Sequence, residues 1–285
     1  MKIAAVVTLY YPGEETPVNI KSYYDYVSKI FVFDNTEKQC ALYNSLCSLP
    51  KIDYHHDGQN EGIAKRLNAA ATMAINEGYD WLLMMDQDSS FLLPMIENYL
   101  NYLKNYIPKN DVALFGINHE VQIKVAEIPC KPVFSEELIT SGSLLNLSLF
   151  NEVGLFNENL FIDAVDYEYT IRILLAGYNI IQFPNIQLNH QIGTLLKRAS
   201  IKTLFLVKKE KKVHSPLRCY YMYRNNLYLQ YKYKNTKVGY LKKLEIMVSS
   251  EIMRTLYYGR NLKQLIYYIL KAKKDFKNNR MGKLK

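Results

Sequence analysis

The chain has 285 residues, 49% of them hydrophobic and 22% charged, with a net charge of +9; it can bury a sizeable core as one large domain or a domain with an appendage, and its composition is not that of a disordered or fibrous protein. No apolar run approaches the roughly eighteen residues a bilayer span needs, and the opening MKIAAVVTLYYPGEE starts directly on a strand-like run without a cleavage pattern, so no signal peptide is expected. The charge is divided unevenly: Leu196–Lys285 carries 24 basic and 4 acidic residues (+20), the remainder 12 and 23 (−11), so an acidic body is joined to a basic region that favours a polyanion such as membrane phospholipid, a pyrophosphate-bearing lipid or nucleic acid.

Ile3–Leu9 reads as a strand running into the loop Tyr10-Tyr11-Pro12-Gly13, and Ile30–Phe33 as a second strand ending at Asp34-Asn35. A weaker strand is expected at Ile52–His55, then a loop over Asp57–Glu61. Ile63, Leu67, Ala70, Ala71, Ala74 and Ile75 keep helical spacing up to Gly78. Trp81–Met85 is a short apolar run of buried-strand type; a helix over Leu93–Tyr106 and a strand over Val112–Ile117 follow. Alternation of this kind predicts an α/β fold, with a mostly parallel, Rossmann-like central sheet flanked by helices. The carboxyl ends of the strands then gather Thr8, Tyr10, Asp34, Asn60 and Asp86 on one rim.

The second half is less regular. Glu137–Leu147 reads as a loop with Gly142 entering a strand, Leu149–Gly154 as a short helix, and Phe156–Phe161 as an extended connection. Val165–Ala176 is helical up to Gly177, and Ile180–Phe183 and Ile186–Leu188 are two short strands before Asn189-His190. From Pro216 onward the pattern is long, basic, tyrosine-rich helices. Composition places a domain boundary near 200: residues 1–200 as the catalytic-looking domain, 201–285 as a basic amphipathic α-helical region. Cys40, Cys47, Cys130 and Cys219 show neither metal spacing nor a disulfide framework and read as reduced cytosolic thiols.

The most informative stretch is DWLLMMDQDSSF, where a buried-strand run ends in two carboxylates one residue apart, Asp86 and Asp88. Two carboxylates at that place repel unless a cation or donor offsets them, and a hard divalent ion holding a diphosphate suits the position. A solvated turn after a strand is the plain alternative for such a pair in isolation.

Seven ordered blocks, VTLYYP, VFDNT, GQNEGIAKRLNAA, GYDWLLMMDQDSS, the run from ITSGSLLNL through FIDAVDYEYTIRILLAGY, NHQIG and RCYYMYRNN, span about Lys2 to Asn226. Together they resemble the family-two glycosyltransferases of the GT-A fold, and within them the rhamnosyltransferases of bacterial surface-polysaccharide assembly. The resemblance implies an inverting transfer of L-rhamnose from dTDP-L-rhamnose to a polysaccharide precursor that is lipid-linked. A UDP-hexose or UDP-galactofuranose donor on the same fold is the alternative. It implies Mn²⁺ or Mg²⁺ at Asp88 and His190, with imidazole favouring Mn²⁺. Asp86 would face the ribose. Thr8, Tyr10, Asp34, Asn60, Gly62, Lys65 and Gln87 would line the nucleotide pocket, Asp34 accepting from the base imide. Ser141, Gly142 and Ser143 would approach the donor sugar.

The general base falls on Asp166, which takes the acceptor proton. Val165 precedes it where the commoner family pattern has an adjacent Glu-Asp pair, so Asp163 stays a second candidate, and Glu168 is placed to orient acceptor hydroxyls. Arg224 either reaches the diphosphate or is an ordinary exposed helix arginine. The basic helices imply peripheral contact with the inner face of the plasma membrane of a cytoplasmic enzyme, or packing on the body or on a second copy. A nucleic-acid-binding protein is a distant alternative: no RNA-module signature accompanies the tyrosines. Retention of Asp88, Asp166 and His190 together argues against an inactive homologue.

Overall fold

Strand β1 (Ile3–Leu9) is buried along almost its whole length, as a strand covered on both faces must be. In the computed structural model, which describes residues 1–106, 110–118, 131–190, 194–198, 206, 208–236 and 239–284, β1 lies between β2 (Lys29–Asp34) and β4 (Trp81–Asp86), parallel to both. Beyond β2 comes β3 (Ile52–His56), also parallel. On the other side β8 (Ser143–Asn146) runs antiparallel to both β4 and β6 (Val112–Asn118). Next to β6, β9 (Asn179–His190) is parallel, and β5 (Ser89–Phe91) and β7 (Val133–Phe134) pair antiparallel with β9. Among the described residues the order is β3-β2-β1-β4-β8-β6-β9-β5, with β7 beside β9. The sheet is therefore parallel through its first four strands and mixed beyond them, and helices flank it.

Helix α3 (Ile63–Asn76) shows why the helical spacing was readable. Its buried face is Ala64, Leu67, Ala70, Ala71 and Ala74, small side chains that let the helix approach the sheet closely. Gly62, at φ 81°, starts the helix, and Gly78, at φ 73°, follows it; both positions favour a residue without a Cβ. Two helices of this half lack a strong apolar stripe and were not expected: α1 (Thr16–Tyr24), which buries Thr16, Ile20 and Tyr23 behind Pro17, and the short α2 (Tyr43–Cys47). The helix expected over Leu93–Tyr106 is α4 (Met95–Asn105).

The expected pair of short strands at 180–183 and 186–188 is a single strand, β9. Its register against β6 slips between Phe183 and Gln187, at Pro184, which has no N–H for the ladder. The connection 156–161 is not simply extended, because Glu158–Leu160 makes a 3₁₀ turn. Helix α5 (Leu147–Val153) is capped by Asn146, whose side-chain oxygen accepts from Ser148 N at 3.1 Å. Helix α6 (Val165–Leu175) follows.

The chain divides into two compact units, Met1–Glu158 with Val165–Gln191, and Asn159–Ala164 with Ile192–Lys285. The boundary expected at residue 200 lies outside the described residues. Within the second unit β10 (Thr194–Arg198) and β11 (Lys209–Val213) form an antiparallel hairpin. The helices are α7 (Pro216–Lys232), α8 (Tyr240–Tyr258) and α9 (Leu262–Lys277). Ser215 caps α7, its hydroxyl accepting from Arg218 N at 3.2 Å, with Pro216 in the first turn. No helix among the described residues is long and apolar enough to cross a membrane.

Candidate active site

Because β1, β2 and β4 are parallel and in register, Thr8 stands opposite Asp86 and Leu9 opposite Asp34. The rim is thus set by backbone pairing alone. Gln87 fixes what comes next: its Oε1 accepts from Tyr10 N at 2.8 Å and its Nε2 donates to Tyr10 O at 3.2 Å. The Gln87 carbonyl in turn accepts from Asn19 of α1 at 2.9 Å. Gln87 therefore holds the backbone of the loop after β1, while the Tyr10 ring is exposed and meets Tyr11 edge-on at 4.7 Å.

Asp34 is held from several sides. Its carboxylate is fully buried and accepts four hydrogen bonds, from Thr36 N and Oγ1, Cys40 N and the Tyr54 hydroxyl. A carboxylate offers about four acceptor positions, and three of these are taken by Thr36 N, Cys40 N and the Tyr54 hydroxyl, while the Thr36 hydroxyl is shared with Lys38 O. Burial pushes the Asp34 carboxyl up, but the bonds from Thr36, Tyr54 and the Cys40 amide outweigh it and hold it below the usual value. Asp34 shapes the loop through these bonds.

The neighbouring residue was missed. Asn35 donates its backbone N–H to Leu9 O at 2.8 Å and accepts from Arg66 Nε at 2.7 Å. The buried Arg66 also grips Asp57 with both terminal nitrogens, at 2.9 and 2.7 Å, and donates to Gln59 O at 2.9 Å. That fork depresses the Asp57 carboxyl below its ordinary range. The block GQNEGIAKRLN contained the signal: a long cation on the inner face of an otherwise apolar helix. Asn60 accepts from Gly62 N at 3.1 Å, a local turn that starts α3, and Lys65 pairs with Glu61 at 2.5 Å on a half-exposed face.

Asp86 closes β4, and Gln87-Asp88 make the turn into β5. Both carboxylate-bearing residues are half-buried. In the β5–β9 ladder Ser89 stands opposite His190, so the backbone brings the end of β9 beside the residue that follows Asp88. The side chain of His190 lies outside the described residues, and among the described ones no three His, Cys, Asp or Glu side chains form a metal-holding group. Two carboxylates one residue apart at a strand's end are a hard oxygen donor set, which fits Mg²⁺ or Mn²⁺.

The loop before β8 links this rim to Asp166. Ser141 Oγ accepts from Asp86 N at 3.2 Å, and the adjacent Thr140 N donates to Asp166 Oδ2 at 3.4 Å. Asp166 Oδ1 accepts from Tyr167 N at 2.9 Å in the first turn of α6. Gly142 anchors the loop, donating to Met84 O at 2.8 Å. At φ 78° it sits where a Cβ would come within 2.5 Å of Ile117 Cδ1. Ser143 Oγ donates to Ile139 O at 2.6 Å. Thr140, Ser143, Asp166 and Tyr169 line a small cavity.

The other acids are committed elsewhere. Glu168 is fully buried and pairs with Arg172 at 2.9 Å; Arg172 also donates to Val153 O and Leu155 O. Two helix positions are about 200° apart around the axis, so Glu168 faces inward while Asp166 borders the cavity. Glu168 is thus structural and orients no acceptor hydroxyl. Asp163 belongs to the second unit and binds Arg218 at 3.0 Å. Arg224 also lies there and is not an exposed helix arginine: only 1% of it is accessible. It donates to Tyr220 OH, Gly282 O and Asn225 Oδ1.

No protein-family model matches the chain. It is 28% identical over 213 residues to the dTDP-rhamnosyl transferase RfbF of Shigella flexneri, a match covering 69% of this chain and 68% of that protein. Its fold is that of the crystal structure of GalNAc-T7 with UDP, GalNAc and Mn²⁺, at TM-score 0.56 and 11% identity over 98% of this chain. The chain spans 58% of that structure's length. The structure of S. aureus TarS 1-349 in complex with UDP-GlcNAc is similar at TM-score 0.53 and 13% identity, covering 95% of this chain and 80% of that one. The sheet order and these structures show that the chain has the GT-A glycosyltransferase fold, and in sequence it is similar to a dTDP-rhamnosyl transferase.

Proposed function

We propose that the chain transfers L-rhamnose from dTDP-L-rhamnose to a hydroxyl of a lipid-linked surface-polysaccharide precursor, with inversion at the anomeric carbon. The observation that carries this reading is the continuous link from Asp86 through Ser141 and Thr140 to Asp166. It ties the acidic end of a parallel strand, where ligands of such sheets bind, to a half-buried carboxylate in the first turn of α6. The relative named as a dTDP-rhamnosyl transferase supports the donor.

In this account Asp166 accepts the proton of the acceptor hydroxyl as its oxygen attacks. One base acting opposite the leaving diphosphate gives a single displacement and therefore inversion. Asp88, with His190, would hold a divalent cation, which when bound neutralises charge on the departing diphosphate. Gln87 keeps the Tyr10 backbone in place, and the exposed ring is available to stack on the pyrimidine. The Asn35–Arg66–Asp57 network sets the wall of the same pocket, and Gly62 leaves room for close backbone approach at the start of α3.

The second unit supports a membrane-surface location at the inner face of the plasma membrane. Helix α9 exposes Leu262, Ile266, Tyr267 and Leu270 on one stripe, with Lys263, Lys273, Lys274 and Lys277 on the same helix. An exposed helix face on which apolar side chains alternate with lysines suits an anionic bilayer interface. Transfer assays with purified protein, Mn²⁺ and a panel of dTDP- and UDP-sugars test the donor. Turnover of dTDP-L-rhamnose above the others is expected; preference for a UDP-hexose or UDP-galactofuranose would reassign it.

A further inference from the structure

The second unit carries a half-open pocket of about 550 Å³, within the range of small-molecule sites. Its wall includes Tyr220, Arg224, Lys271, Asp275, Arg280 and Lys283. Asp275 is the sole carboxylate on that wall among the described residues. It is already shared between the Tyr220 hydroxyl at 2.9 Å and Lys271 at 3.2 Å. Four cations face one anion, a surplus of three positive charges.

Arg224 makes the imbalance sharper. It is almost completely buried, yet its four hydrogen bonds all go to neutral acceptors, and its guanidinium lies 5.1 Å from the ring centres of both Tyr220 and Tyr221. Among the described residues no carboxylate pairs with it. A buried cation without a counter-ion is costly, and a bound anion would relieve that cost. Arg280 and Lys283 are exposed at the mouth, again with no ion-pair partner among the described residues.

The cavity is also preformed. Its C-terminal wall is pinned by Gly282 N to Asn159 O at 2.7 Å, by Arg224 to Gly282 O at 2.9 Å, and by Leu284 N to Tyr221 OH at 2.9 Å. We propose that this cavity is a metal-independent binding site for a diphosphate or phosphate ester. A surplus of three charges suits a multiply charged anion, and an arginine fork with lysines is a phosphate-binding set. Tyr228, Met281 and Leu284 on the wall leave an apolar side for the esterified group. The proposal stands apart from the transfer reaction: it requires neither Asp88 nor a cation.

The test is calorimetric titration of the full chain with inorganic diphosphate in excess chelator. Wild type should bind. The double variant Arg280→Ala, Lys283→Ala, altered only at exposed positions, should bind roughly tenfold or more weakly, while Asp88→Asn binds as wild type. No binding by wild type, or full binding by the double variant, would overturn the proposal, as would loss of binding in Asp88→Asn. Flotation with phosphatidylcholine vesicles, with and without polyprenyl diphosphate, identifies the source. Retention by the diphosphate-bearing vesicles alone, relieved by inorganic diphosphate, assigns a lipid-borne ligand. Equal behaviour of both vesicle types alongside diphosphate binding assigns a soluble one. Titration with dTDP-L-rhamnose and Mn²⁺ reports on the transferase reading separately.

Discussion

At the residue scale, Asp34 at the end of β2 and Asp166 in the first turn of α6 have opposite assignments. Asp34 accepts from Thr36 and Cys40 of the loop after β2 and from Tyr54 of β3, so Asp34→Ala should cost stability, on the order of 3 kcal/mol for the buried donors left unpaired. Thermal unfolding would measure it. Because the folded carboxyl titrates below its usual value, its stabilising share is full above the unfolded pKa of about 4 and fades as pH falls through the lower folded one. Wild type should therefore lose stability on acidification in that window, and Asp34→Asn should lose less over the same range. An identical acid profile would contradict this. For Asp166, Asp166→Asn should lower the transfer rate by roughly 10²–10⁴-fold with donor affinity kept; unchanged turnover would move the base elsewhere.

At the element scale, the loop before β8 is the part most exposed to a single substitution. Gly142→Ala introduces a Cβ at φ 78° and against Ile117, costing about 1–3 kcal/mol. The same loop carries Thr140 and Ser141, so turnover should fall along with melting temperature. A variant as stable and active as wild type would show that the loop is not rigidly held. The first four strands and α3 were legible because apolar runs and i, i+3, i+4 spacing are strong local signals. Strand β5 was not. Three residues, two of them serine, carry no such signal, and it forms only because β9 supplies a partner 97 or more residues away. Yet β5 is what brings the backbone of His190 into register with Ser89, the residue after Asp88. Likewise β9 read as two pieces because Pro184 interrupts its ladder, a tertiary outcome rather than a local one. Arg66 was legible as a cation at an inner-face position of a helix, but its partners Asp57 and Asn35, which make its burial possible, were not.

At the scale of the molecule, the division of charge has a structural counterpart. The acidic residues of the site belong to the first unit, and the helices with most of the surplus lysines to the second. Replacing Ile266 and Leu270 on α9 with glutamate should reduce binding to anionic phospholipid vesicles without altering turnover of a water-soluble acceptor analogue. Vesicle sedimentation and a soluble assay would check both; undiminished vesicle binding would remove that stripe as the membrane contact.

The central claim is that the acidic turn ending β4 holds the donor diphosphate through a divalent cation. Calorimetric titration of dTDP-L-rhamnose into wild type and Asp88→Asn, each with Mn²⁺ and with excess chelator, tests it most directly. Affinity in wild type roughly tenfold or more higher with Mn²⁺ than with chelator, and loss of that Mn²⁺-dependent gain in Asp88→Asn, is the predicted result. Equal affinity in all four titrations would contradict it.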